Sequence, residues 1–413
     1  MGDFPILNRI IWISGIVVLT PFLNGAFHNV FQEQKIPPRI MNLLESRSPT
    51  QNIRGFVELA YFKGDLSEAV PIIEKGLRSE EIGIRQATEY MLTRSDSRLL
   101  DDLKPLLESD DFDRYRFGCD MAFAIGQPSA KYVDLVSAKI NNADFGDKKE
   151  AYNMASLLAL RGMGPKAKPA IKQIVACLDS RNIHVVLYAC KVIIEMGPEG
   201  KEAATKLIDI VKNGNASTRG WAGQALARIG VSKDYDVVKI LAPRLEAYNT
   251  LERERVLEGV AGLGGAAKSQ LKLIKELMEE EKFHTQPHAA YAYFKISGES
   301  EQPVKILTEL ATKLNTREQA IEMLGRIGPD ASSATNILIK YVELDPEEIT
   351  LRELAVIALG RIGPKAKDSL PALEELVNTE LDWLLRIRAV EAIDKIKGKK
   401  ALGQSRGDAA LIK

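Results

Sequence analysis

Apolar positions recur along most of this chain at the spacing of one helix face, and Leu351–Gly363 (LRELAVIALGRIG) shows the pattern most plainly. With Arg352 as position zero, Ala355, Ala358, Leu359 and Ile362 fall at +3, +6, +7 and +10. At about 100° per residue these four share a stripe roughly 100° wide, which predicts a helix with one buried face. Gly363 supplies the C-terminal stop and Pro364 cannot continue the helix. The grammar repeats with zero positions at Arg54, Arg85, Arg116, Asn153, Val186, Arg219, Arg253, Gln286, Arg317, Arg352 and Arg386. The mean step of about 33 residues is that of stacked helix pairs.

Eight of these eleven slots are Arg, far above chance. Position +3 is usually small (Ala189, Ala289, Ala355, Ala389, and Cys119 in the third unit), and so is +6 (Ala60, Ala122, Ala159, Ala292, Ala358, Ala392). Small residues there predict close approach of neighbouring first helices. Gly126, Gly164, Gly197, Gly230, Gly264, Gly328 and Gly363 mark the turn of seven units, with Pro following at 165, 198, 329 and 364. A second apolar helix comes next, as in Ala170–Leu178 and Leu370–Val377. No stretch alternates in the manner of a strand pair, so essentially no sheet is expected.

This R-x-x-A-x-x-A-L-x-x-I-G-P-x-A grammar resembles the short HEAT-like repeats first named for phycocyanobilin lyases. The resemblance covers residues 36–398 and implies an all-α, right-handed α-solenoid of about eleven helix-pair units. It further implies that second helices line a concave face that holds partners. In such repeats the zero-position Arg pairs with an acidic residue of an inter-unit turn, here Asp110 or Asp111 before Arg116 and Asp345 before Arg352. The ladder of Arg54, Arg85, Arg116, Arg219, Arg253, Arg317, Arg352 and Arg386 would break at Asn153, Val186 and Gln286. Members of this family include scaffolds, adaptors and a few enzymes.

The ends differ from the array. Arg9 precedes the apolar run Ile10–Leu19, and no charged residue occurs from Ile10 to Gln32. Ten apolar residues fall short of the roughly 20 that a membrane span needs. Residues 1–26 therefore read as a signal peptide or an N-terminal anchor, which places the body of the protein outside the cytoplasm, exported or membrane-tethered. Residues 27–35 form a linker and 399–413 a polar tail. Membrane contact is expected only through the N-terminal segment, if uncleaved.

Lys+Arg and Asp+Glu both total 56, so no global charge draws the chain to nucleic acid. No GxSxG, P-loop, strand-linked GxGxxG or HExxH motif occurs. His284 and His288 stand four apart but Pro287 separates them and no third ligand is evident. Gly259–Gly265 looks suited to phosphate, yet Gly259 is a small +6 position and Gly264 a turn glycine. The acidic residues Glu279–Glu281, Asp345, Glu347 and Glu348 read as solvated helix ends, and the two GPKAK turns as isolated basic turns. No catalytic residue, cofactor or metal is therefore expected. The leading expectation is a non-enzymatic scaffold or adaptor for a protein or peptide partner on the concave face. The alternatives are a phycobilin-lyase-like enzyme or chaperone and a nucleic-acid-binding member.

Cys119, Cys177 and Cys190 are odd in number, form no CxxC pair and sit among apolar residues. Cys177 and Cys190 fall on helices expected to pack together, but a disulfide requires Cα atoms about 4.4–6.8 Å apart, less than the usual spacing of helix axes. Thiol counting on denatured, unreduced protein is expected to find three free thiols. A count of one would show that two of the cysteines are bridged.

Overall fold

The computed structural model describes residues 35–398, apart from 96, 281–283 and 381. The expected signal or anchor over 1–26, the linker up to residue 34 and the tail 399–413 lie outside the described residues. Among the described residues there are helices and turns and no strand. None of the helices is long and apolar enough to cross a membrane.

Helices alternate between two layers. One layer holds α1 (Pro38–Leu44), α3 (Val70–Leu77), α5 (Leu100–Leu107), α7 (Val133–Ala138), α9 (Ile171–Cys177), α11 (Ala204–Asn213), α13 (Val237–Leu245), α15 (Leu271–Glu279), α17 (Glu301–Leu310), α19 (Thr335–Val342) and α21 (Leu370–Thr379). The other holds α2 (Pro49–Tyr61), α4 (Ile82–Thr93), α6 (Phe112–Ile125), α8 (Lys149–Met163), α10 (Ile183–Met196), α12 (Ala216–Ile229), α14 (Thr250–Leu263), α16 (Gln286–Ser297), α18 (Arg317–Ile327), α20 (Ile349–Ile362) and α22 (Trp383–Ile396). The turn glycines explain how one layer hands over to the other. Gly164, Gly197, Gly264, Gly328 and Gly363 combine φ of 53–74° with ψ near −130 to −140°, a region costly to any residue with a Cβ. A short 3-10 turn follows each of them. Asp111, Asn182, Asn215, Asn249 and Asp382 cap the next even-numbered helices by accepting a backbone N–H.

Even-numbered helices pack on one another in unbroken succession from α2 to α22, and α22 then packs back on α2. The solenoid closes into a ring. Successive odd-numbered helices touch far less, so the even layer is the inner one. Two ion pairs establish this independently. Arg326 on α18 reaches Glu258 on α14 at 3.1 Å, and Arg94, the C-cap of α4, reaches Glu391 on α22 at 2.6 Å. Each pair bridges over an intervening even helix, which is possible only where the row of helices curves toward the side chains. The expectation that second helices line the concave face is therefore corrected: the R-x-x-A helices line it, and the helices after the Gly-Pro turns form the rim.

Small residues set the inner spacing, as the pattern predicts at +6. A Cβ on Gly325 would lie 2.9 Å from Ala358 Cα, and one on Gly360 would lie 3.1 Å from Ala392 Cα. The apolar stripe itself is buried between the layers, with Ala355, Leu359 and Ile362 all at 0% exposure.

Ala358→Glu would drive a carboxylate against the α18 backbone at a buried position. We expect a loss of several kcal/mol in urea denaturation. Lys367→Glu, on an exposed turn, should change stability by less than about 0.5 kcal/mol. Equal effects would mean that the helix phase is wrong.

Candidate functional site: the inner face of the ring

In most units the zero-position side chain donates to the end of the preceding rim helix. Arg85 donates to the carbonyls of Ser79 and Glu80, Arg253 to Ala247 at 2.7 Å, Arg352 to Val342 at 3.3 Å and Arg386 to Val377 at 2.6 Å. These are carbonyls that a helix terminus leaves unpaired. Arg219 donates to Gly214 and also grips buried Glu252 of the next unit through two 2.8 Å bonds. Arg317 and Arg352 likewise pair forward with Glu348 at 3.7 Å and Glu380 at 2.6 Å.

Several expectations are corrected here. The acid comes from the following unit, so Asp345 is not the partner of Arg352. Asp111 is a helix cap, and Asp110 pairs with Lys139 at 3.1 Å. Gln286 does not break the series, since it donates to Met278 O at 3.1 Å. Two arginines, Arg116 and Arg54, stand outside the zero slot. Counting back eleven residues from Gly126, as from every other turn glycine, gives Tyr115, which is buried, whereas Arg116 is exposed. The third-unit +3 residue is thus Gly118 rather than Cys119, and Ala122 moves from +6 to +7. In the first unit Asn52 does the capping, donating to Leu43, Leu44 and Ser46. Arg54 instead lies over the Trp383 ring at 4.7 Å and pairs with Glu58 at 2.9 Å.

With the register set, positions +2, +5 and +9 fall within about 60° of one another, and this stripe faces the bore. From α10 to α16 the +2 and +5 residues are Tyr188 and Lys191, Trp221 and Gln224, Arg255 and Glu258, then His288 and Tyr291. Arg326 on α18 and Arg94 at the C-cap of α4 are at +9. Cations lie over rings: Lys191 over Tyr188 and Trp221 at 5.2 and 4.9 Å, Arg255 over Trp221 at 4.2 Å, Arg326 over Tyr291 at 4.3 Å. Glu258 ties the band together, accepting from Gln224 at 2.7 Å and from Arg255 and Arg326 at 3.1 Å. Burial opposes its ionisation, but Arg255, Arg326 and His288 outweigh that and hold its pKa below the ordinary value. Burial drives His288 down to about 4 despite Glu258 Oε1 at 3.8 Å. It is a neutral packing residue at physiological pH.

At the closure, Glu391 accepts from Tyr90 at 3.1 Å and Arg94 at 2.6 Å, and Tyr90 meets Tyr61 at 2.7 Å. A cavity of about 490 Å³ opens beside them, lined in part by Glu89, Glu353, Leu384 and Arg388.

Other candidates resolve into packing. His284 has φ 53° in an exposed turn and stands apart from any metal-binding group, and among the described residues no cluster of three or more His, Cys, Asp or Glu is placed to hold a metal ion. Gly259 packs on α12, where a Cβ would lie 3.1 Å from Gln224 Cα. The turn lysines Lys168 and Lys365 pair with Glu199 and Asp330 of neighbouring turns at 2.5 and 3.8 Å. Cys119, Cys177 and Cys190 are buried and unbridged, and burial pushes the Cys177 and Cys190 thiols up to about 12.

Residues 311–394, spanning α18 to α22, match the family of HEAT repeats. The described residues form an α-solenoid of stacked helix pairs, and residues 311–394 among them are similar to HEAT repeats. Among solved structures, an engineered protein is similar at 16% identity and TM-score 0.33, over 88% of this chain and 99% of that one. The karyopherin Kap121p, bound to the extreme C-terminus of the protein phosphatase Cdc14p, is similar at 13% identity and TM-score 0.41, over 94% of this chain. A homology model of the AP-3 complex is similar at 14% identity and TM-score 0.37, over 80% of this chain. This chain spans 51% and 57% of the lengths of those last two. No curated protein matches its sequence.

Arg94→Glu should weaken closure by setting two carboxylates face to face. Small-angle scattering should show a larger radius of gyration, and Arg94→Glu combined with Glu391→Arg should restore the compact value. An unchanged single variant would mean that closure does not depend on this pair.

Proposed function

We propose that this protein is a non-enzymatic interaction scaffold, exported or membrane-tethered through residues 1–26, that holds a protein or peptide segment against the inner face of its ring. The observation that carries this reading is the band of cations fixed over aromatic rings on α10 to α18. Its side chains are already ordered by one another, so a partner that docks on them gives up little further entropy. Aromatic and Arg side chains also dominate the energetics of protein interfaces. A regular ring of eleven helices with axes about 8–10 Å apart leaves a bore roughly 20 Å across, enough for one extended segment or one helix.

A photo-crosslinking residue placed at Leu158 or Ile357, both half-buried +5 positions, should capture a discrete protein in the native cells, recovered outside the cytoplasm. The same residue at Lys239, exposed on the rim, should not. Capture from the rim alone would overturn the reading.

A further inference from the structure

Three cations crowd one sector of the inner face. Lys191 lies among the rings of Tyr188 and Trp221, Arg255 shares the Trp221 ring, and Arg161 lies over Phe123 at 5.3 Å. Arg161 has Glu195 at 3.8 Å and Arg255 has Glu258 at 3.1 Å. Lys191 has aromatic neighbours but no carboxylate pairs with it among the described residues. Of the three, Lys191 is the cation without an ion pair among the described residues, on a side chain that is half-buried. Burial, with Arg161 and Arg255 nearby, lowers the pKa of Lys191. An arriving anion would relieve that repulsion.

We propose that Lys191 is the docking point for an Asp or Glu side chain of a partner protein segment, with the Tyr188 and Trp221 rings contacting an apolar residue beside that carboxylate. This rests on the scaffold reading and names the chemistry of the segment. A single carboxylate matches the single ammonium that has no ion pair. A phosphodiester backbone fits less well, because its regularly spaced charges would also meet Glu195 and Glu258.

Selection of random dodecapeptides displayed on phage against the full chain tests the proposal. Bound peptides should be enriched several-fold in Asp and Glu over the unselected library. Lys191→Glu should turn the preference to Lys and Arg. One selected peptide, measured by fluorescence anisotropy, should bind at least tenfold more weakly to Lys191→Met, which keeps the apolar stem, and circular dichroism confirms that both variants are folded. Selected peptides that lack Asp and Glu and bind Lys191→Met undiminished would overturn the inference and leave the scaffold reading standing. Recovery of no specific peptide, or tighter binding of a thymidine 20-mer than of any selected peptide, would overturn both.

Discussion

How closely consecutive inner helices can approach governs the shape of this molecule. Eleven units that close a circle turn by about 33° each. With two helix layers about 10 Å apart, the rim axes must then lie about 6 Å farther apart than the inner ones. Gly325 against Ala358 and Gly360 against Ala392 bring the inner backbones together, and the rim helices accordingly touch little. Enlarging one +6 residue would change both the spacing and the angle, and the error would be felt where α22 has to meet α2.

Curvature then decides what the inner side chains can do. On a flat or convex row Arg326 could not pass over α16 to reach Glu258, nor Arg94 pass over α2 to reach Glu391. These bonds are consequences of closure, and they also support it. Glu258 is mostly buried between Arg255 and Arg326, so deleting either arginine weakens what compensates its charge in a poorly solvated place. The band is thus held in one arrangement before any partner arrives, which is what an interaction surface needs to bind without a large ordering cost.

The donor at the zero position solves a separate problem. Each rim helix is short and ends at a turn between layers, leaving carbonyls that water reaches poorly. Arg85, Arg253, Arg352 and Arg386 satisfy them, and Asn52 and Gln286 do the same with amides. The requirement is for a donor of suitable reach rather than for Arg as such. Arg is favoured because its guanidinium can also grip an acid of the following unit, as Arg219 does with Glu252.

Local spacing alone determined the helices, their turns, the small +6 positions and the repeat architecture, because each depends on residues within one unit or its immediate neighbour. It also determined that the three cysteines fall among apolar residues. Register was harder to read where an Arg happened to stand one or two places from the true slot: Arg116 hid Tyr115, and Arg54 hid Asn52. Counting back from Gly126 separates Tyr115 from Arg116 within the sequence, while Asn52 is set apart from Arg54 by its bonds to Leu43, Leu44 and Ser46 in the fold. Which layer faces inward, that the array closes, and that Tyr188, Lys191, Trp221, Arg255 and Glu258 share one surface were decided by the tertiary structure. A small difference in packing distance, summed over eleven units, sets the curvature, and no single unit's sequence contains that sum.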